Sequence, residues 1–456
     1  MDAREVNLSL DFCLRVGEVL LSSGAGAADV TVTMRSLARH LGMRTVGIDV
    51  TFVNLSIQYQ ASDEELPVLS TRQVTARTID YDHLTQVDHL VRDVLRDRTD
   101  LRQARADLAR IVSGGHGRRR WAVTLGLALM AAAVTVQVGG GPRGAALALV
   151  TAAIIDRVQL TLHRRRLPFF YQQVAGAGIA TLMALGAAAL PTDLDVSTSI
   201  TANIVVLLAG IGFMGALQDA LTGFHITASA RLLEALLATA GIIAGVSGGL
   251  ALAHAVGVDI PTIVPGQTSL QSVSLTLLGA AVGAGAFAYS SYAPRRILAP
   301  IALVAAVATG IVEAMPSDIA RPLAVAIASF LVGLVSFPIS GRLRVPPLVV
   351  VVSAVVPLLP GLSIYRGLSL LAAEKSAQVS SGLLAMVTAA SIAVALASGV
   401  FLGEYVAQPL GGQVRRLEAR LAGPRLVGPL RDFTRSERRH RRRTQREAAS
   451  EEDAGS

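Results

Sequence analysis

The sequence predicts a polytopic α-helical membrane protein of about ten spans, built as two five-span inverted repeats and preceded by a small cytoplasmic α+β domain. Charge partition is the first ground. Residues 121–409 hold 23 charged residues in 289 positions, about 8%, while the other 167 positions hold 51, about 31%. A soluble domain carries roughly a quarter. The second ground is a succession of apolar runs near the ~20 residues that a spanning helix needs. The third is a gapless internal match at an offset of 151 residues. These features exclude a wholly soluble enzyme and a disordered chain. The single cysteine, Cys13, excludes an internal disulfide and any multi-Cys metal site, and reads as a small buried apolar residue. The expected units are a cytoplasmic α+β domain over 1–117, a ten-span body over 118–409 and a basic, disordered cytoplasmic tail over 410–456. No signal peptide is expected before the first domain.

In the front unit, Leu8, Phe12, Val16 and Val19 share a helical face, so residues 6–21 read as an amphipathic helix. Ser22 to Gly26 break it, and Asp29 to Leu41 form a second helix ended by Gly42. Alternation at Val46, Ile48, Val50 and Phe52, then at Val53, Leu55, Ile57 and Tyr59, reads as two strands, and Val68 to Ile79 as a third. Residues 82–98 and 100–112 return to helical periodicity. No nucleophile elbow, no phosphate-cradling loop and no His/Cys metal spacing is read in this unit. Asp80, Asp82, His83, Asp88 and His89 lie close in sequence, as metal ligands would. They read instead as a solvated helix face whose acids favour the helix N-terminus. The unit is therefore expected to be a gate, plug or assembly module rather than an enzyme.

The ten spans fall near 121–138, 144–162, 169–190, 199–218, 230–256, 272–291, 296–313, 320–338, 346–366 and 382–407. Asp156, Arg157 and Gln159 weaken the second, and Pro357, Pro360 and Gly361 break the ninth. Arg118–Arg120, Arg164–Arg166, Arg231, Arg295, Arg296, Arg342, Arg344 and the Arg-rich tail all fall on one side of such a count, with Arg143, Arg321, Arg366 and Lys375 as the exceptions. The opposite loops, 191–199 and 257–271, carry Asp193, Asp195 and Asp259 but no Arg or Lys. Both termini are therefore expected in the cytoplasm of a plasma-membrane protein. The tail reads as a segment held at anionic lipid, because aromatics are not interleaved with its arginines as in nucleic-acid binders.

The repeat aligns Leu207–Gly210 with Leu358–Gly361 and Ser247-Gly248 with Ser398-Gly399, with 11 identities over the 42 positions from 207 to 248. It maps the fourth span onto the ninth and the fifth onto the tenth. Five is odd, so the copies run in opposite directions, a design of secondary transporters whose sites lie on interrupted helices. The interruptions here are Gly210-Ile211-Gly212 and Pro357 to Gly361. Glycines 241, 245 and 249 read as packing notches.

Ionisable groups near a bilayer are costly and so are candidates for function. Gln218 and Asp219 end the fourth span, followed by Thr222, then Arg231 and Glu234, which could pair at i, i+3. Asp219 has no local partner in sequence. Asn203 lies within the fourth span. Past the second break come Pro360, Gly361, Arg366 and Glu374. Glu313 and Glu404 read as solvated span ends. Substrate or coupling residues are thus expected among Asn203, Gly210, Gln218, Asp219, Thr222, Arg231, Glu234, Pro360, Gly361, Arg366 and Glu374. Groups of both signs near the breaks suit a zwitterion, whose carboxylate takes a cation or helix N-terminus and whose ammonium takes an acid.

Three strings carry a family resemblance: LAGIGFMGALQDALTGFHITASARLLEA at 208–235, VVPLLPGLSIYRGL at 355–368 and LLSSGAGAADVTVTMRSLARHLGM at 20–43. They resemble the threonine/serine exporter family, and its actinobacterial members most. The resemblance covers nearly all of the chain except the tail. It implies a cytoplasmic domain followed by ten spans and export of L-threonine and L-serine driven by the proton-motive force. Some family members split the halves between two polypeptides and are linked to dicarboxylate export. This chain departs from the wider family at Ala209, where a Pro-Gly pair is common.

The expected function is secondary active export of small hydroxy amino acids by alternating access. The alternatives are a dicarboxylate exporter on the same fold, a membrane-anchored hydrolase using the front unit, and a passive channel. Expected partners are zwitterionic amino acids, protons, the bilayer with anionic lipid at the tail, and further copies of the chain in a homo-oligomer. No nucleic acid, cofactor or metal is expected.

Overall fold

The computed structural model describes residues 2–62, 64–75, 77–188, 196–207, 210–256, 273–316, 320–371 and 376–407. Ala209, the loops expected at 191–199 (apart from 196–199) and 257–271, Glu374, Lys375 and the tail at 410–456 lie outside them.

The front region begins with α1 (Ala3–Ser22) and α2 (Ala27–His40). An antiparallel meander follows, of β1 (Val46–Val50), β2 (Asn54–Tyr59) and β3 (Val68–Gln73). Then come α3 (Tyr81–Val94) and α4 (Leu101–Ser113). The alternation read from sequence sets the register, Ile48 opposite Ile57 and Ile57 opposite Ser70. Leu55 and Ile57 on one face of β2 are buried in a single core with Phe12, Val16 and Met34 of the first two helices. Each such side chain contributes about 1.5–3 kcal/mol of transfer free energy. The third strand is shorter than expected. It ends at Gln73, and the chain turns toward α3.

The apolar part opens with α5 (Arg120–Gln137), α6 (Pro142–Arg164) and α7 (Phe169–Ala188). These are followed by α8 (Val196–Leu207), α9 (Gly210–Leu221) and α10 (His225–Ala255). The second set is α11 (Val273–Ser290), α12 (Leu298–Ala314) and α13 (Arg321–Leu343). It continues through α14 (Pro347–Val355) with a 3-10 turn at Val356–Leu358, then α15 (Gly361–Leu371) and α16 (Ser376–Ala407). Seven of the described helices are long and apolar enough to cross a membrane, so the chain is a polytopic membrane protein. The polar end expected to weaken the second span does not interrupt it. Asp156 on α6 is buried, pairs with Arg120 and accepts the Thr124 hydroxyl at 2.7 Å.

The offset seen in sequence recurs in the element order. By the offset of 151, α8 and α9 correspond to α14 and α15, and α10 to α16; α10 begins at His225, and the position 151 further on, Ser376, is the first described residue of α16. Packing follows the same correspondence. The α7–α10 contact is matched by α13–α16, α9–α10 by α15–α16, and α5 packs on its counterpart α11. Between the halves, α9 packs on α16 and α15 on α10. The glycine notches are real. A Cβ at Gly241 would stand 2.8 Å from the Phe170 carbonyl oxygen, and one at Gly399 would stand 2.5 Å from that of Ala326.

Candidate functional site

The expected site residues divide into three groups. The first lies where α9 ends. Gly223 adopts a left-handed φ of +91°, and Phe224 N–H returns to the Asp219 carbonyl at 2.8 Å, which closes the helix. The Thr222 hydroxyl is used locally, donating to the Gln218 carbonyl at 2.9 Å. This turn presents the Asp219 side chain to the front region. Its Oδ1 accepts the backbone N–H of Ala27, the first residue of α2, at 3.1 Å. Its Oδ2 stands 3.1 Å from Arg231 Nη1. Two readings from sequence are corrected here. Asp219 is not without a partner, because α10 folds back against α9 and the front region covers the turn. Arg231 is engaged by Asp219 rather than by Glu234, and its other nitrogen donates to the Ala25 carbonyl at 3.2 Å.

Arg77, from the segment between β3 and α3, completes this group. Its guanidinium lies 4.0 Å from the centre of the Phe52 ring and donates to the Phe52 carbonyl. Burial, with Arg231 close by, pushes its pKa down to about 10 against the opposing pull of Glu234 and Asp219. Glu234 therefore faces the same cluster. Sequence reading missed Arg77 and Ala25. The glycine-rich break at 22–26 was the available signal, since a chain reversal with free backbone groups can meet a carboxylate.

The second group surrounds the helix breaks. Asn203 on α8 is buried. Its amide donates to the Ser199 carbonyl at 2.8 Å, and its Oδ1 has no hydrogen-bond partner among the described residues. Gly361 is the first residue of α15, which restarts after Leu359-Pro360, whereas the interruption expected at Gly210-Ile211-Gly212 is corrected, since these residues are helical in α9, and residues 208 and 209 lie outside the described residues. Just before Pro360, the Pro357 carbonyl accepts from Gln137 on α5 at 3.3 Å, a contact with no sequence signal. Tyr365 on α15 is buried in a cluster with Ile200, Ile204 and Leu207 of α8, so the two segments share a core. Arg366 is exposed on α15 and joins none of these contacts; Glu374 lies outside the described residues.

The third group lines a cleft between the front region and the helix ends. Asp29, Asp88, Gln218 and Glu404 meet there with Leu20 and Leu84. Glu404 is 7% exposed, so the expectation of a solvated span end is corrected. The acidic run near α3 is likewise no simple solvated face. Asp80 is buried against His83 and His116, Asp88 pairs with Arg92 at 2.8 Å, and His89 reaches the Arg344 carbonyl at 2.9 Å.

Two sets of apolar helices that pack alike, a helix broken before Gly361 and a polar cleft at one end define a polytopic helical membrane protein of a kind that suits a transporter. Comparison with known proteins narrows this. Residues 11–253 match a family model described as "Putative threonine/serine exporter", and residues 276–406 match one described as "Threonine/Serine exporter". A "Probable threonine/serine exporter" from Mycobacterium tuberculosis is 35% identical over 408 residues, covering 88% of this chain and 77% of that protein. A "Threonine/serine exporter" from Corynebacterium glutamicum is 32% identical over 441 residues, covering 95% and 87%. The chain belongs to the threonine/serine exporter family, a family of amino-acid exporters. No solved structure matches it.

Proposed function

We propose that the chain is a secondary active exporter of L-threonine and L-serine, driven by the proton-motive force through alternating access in the plasma membrane. The observation that supports this reading is the cross-packing of the two halves, α9 on the long α16 and α15 on the long α10, elements that the 151-residue offset pairs. Read as ten spans, the two sets form inverted five-span repeats with both termini cytoplasmic. The helix that restarts at Gly361 offers free backbone N–H groups and a positive dipole end to a substrate carboxylate. The Oδ1 of Asn203, without a partner among the described residues, is an acceptor suited to an ammonium or a substrate hydroxyl.

The cleft of Asp29, Asp88, Gln218 and Glu404 is the cytoplasmic entrance in this reading. Groups of both signs on the two sides of the body suit a zwitterion better than a dicarboxylate. Asp219 with Arg231 latches the front region over that entrance, and Glu234 and Thr222 support the latch. Arg366 with Glu374 guards the opposite side. The basic tail at 410–456 rests on anionic lipid. The test is efflux of labelled threonine, serine and succinate from loaded cells. The reading expects threonine and serine to leave against their gradient and an uncoupler to abolish this. Succinate efflux alone would replace it with the dicarboxylate alternative.

A further inference from the structure

Outside the substrate path, Asp80, His83 and His116 bring one carboxylate and two imidazoles together, their ligand atoms all within 4.8 Å of one another. Asp80 is 6% exposed. Its Oδ1 caps α3, accepting from Asp82 N–H at 3.1 Å and His83 N–H at 3.0 Å. The cap fixes the carboxylate and turns Oδ2 outward, where His83 Nδ1 stands at 3.0 Å and His116 Nε2 also makes contact. His116 comes from the glycine-rich link between α4 and α5, and its ring is held by stacking on Tyr292, 4.0 Å between centres and 27° between planes. Tyr292 itself has a left-handed backbone, φ +63°, a strained conformation that sets the ring in place. The nearby cation Arg118 is turned away, lying 4.1 Å from the centre of the Tyr289 ring and donating to the Ala293 carbonyl at 2.9 Å.

We propose that Asp80, His83 and His116 form a transition-metal site of the Zn²⁺ class that ties the front region to the membrane helices. Two imidazole nitrogens and one carboxylate oxygen are a ligand set Zn²⁺ takes at ~2.0–2.2 Å, which leaves a fourth position for water. Tetrahedral ligands at that radius lie about 3.4 Å apart, so the two carboxylate–imidazole contacts would have to widen by about 1 Å or less around an ion. The cap on Oδ1 and the Tyr292 ring orient the ligands from outside, as outer-sphere partners do in metal sites. The site joins α3 to the link that enters α5. Beside it, Tyr81 N–H donates to the Ser291 carbonyl at 2.9 Å. An ion there would hold the front region against the α11–α12 turn.

The test is metal binding by the full-length, tag-free protein in detergent. The protein is stripped with chelator and titrated with Zn²⁺, and Co²⁺ serves as a spectroscopic probe of tetrahedral coordination. The proposal expects one ion per chain and a tetrahedral Co²⁺ spectrum. His116→Gln, in the link and so little able to disturb the fold, should weaken Zn²⁺ binding at least about tenfold. His83→Gln should do the same, with both variants eluting as the parent does. A parent that binds no ion, or variants that bind as tightly as the parent, would overturn the proposal and leave a hydrogen-bonded Asp–His–His cluster only.

Discussion

Asp219 Oδ1 accepts the backbone N–H of Ala27 at 3.1 Å across 192 residues of sequence, so a side chain at the end of a membrane helix caps a helix of the front region. The cap lies outside the capped helix's own sequence. Gly26 at the N-cap position supplies no side chain, and Asp219 takes that role.

Asp219→Asn keeps an oxygen for Ala27 but leaves Arg231, 13% exposed, without its counter-ion. Breaking such a buried pair costs about 3–5 kcal/mol. The expected outcome is a lower thermal midpoint in detergent, faster proteolysis at residues 22–27, and reduced export. Arg231→Met added to Asp219→Asn should recover part of the stability, because the stranded charge is gone. An Asp219→Asn protein with the parent's midpoint would remove the latch.

The helices were legible from periodicity and the correspondence of the two helix sets from the 151-residue offset. Both are local or repetitive signals carried by composition. The partners of Asp219, His116 and Gln137 were not legible. Each meets its partner through a tertiary packing that leaves no spacing in the sequence. Asp219 looked unpaired because its cation lies twelve positions on, past a helical reversal at Gly223. Asp80 looked like an ordinary helix-capping acid. It does cap α3, but His116, from the link after α4, fills its other oxygen.

Helix packing gives a prediction with an internal control. Gly241→Val and Gly399→Val each drive a branched side chain into a facing backbone carbonyl, whereas a Cβ at Gly248 meets nothing within 4 Å. Overpacking of this kind costs about 1–3 kcal/mol or more. The first two variants should fall in membrane abundance and elute as aggregate, and Gly248→Val should match the parent.

Cys13 is fully buried, and desolvation pushes its thiol up to about 12. The thiolate is the reactive form, so maleimide should not label the folded protein at pH 7–8 and should label it fully after denaturation. Labelling of the native chain would mean that α1 is not packed as described.

Arg366 is exposed on α15, one turn beyond the break at Gly361. A planar guanidinium that takes a carboxylate with two bonds is not replaced by an ammonium. Arg366→Lys should therefore lose most export at normal abundance. Transport equal to the parent's would leave Arg366 as a charge at the interface and the backbone break as the anion contact.

The central claim is that the two helix sets are inverted copies, and it is tested most directly by single-cysteine accessibility at matched positions. His225 and Ser376 are the first residues of α10 and α16, and 151 positions separate them. In a chain whose own Cys13 stays silent, His225→Cys and Ser376→Cys are each probed with a membrane-impermeant maleimide on intact cells and after permeabilisation. The account predicts that Ser376→Cys labels on intact cells and His225→Cys only once the membrane is opened. Labelling of both from the same side would contradict it.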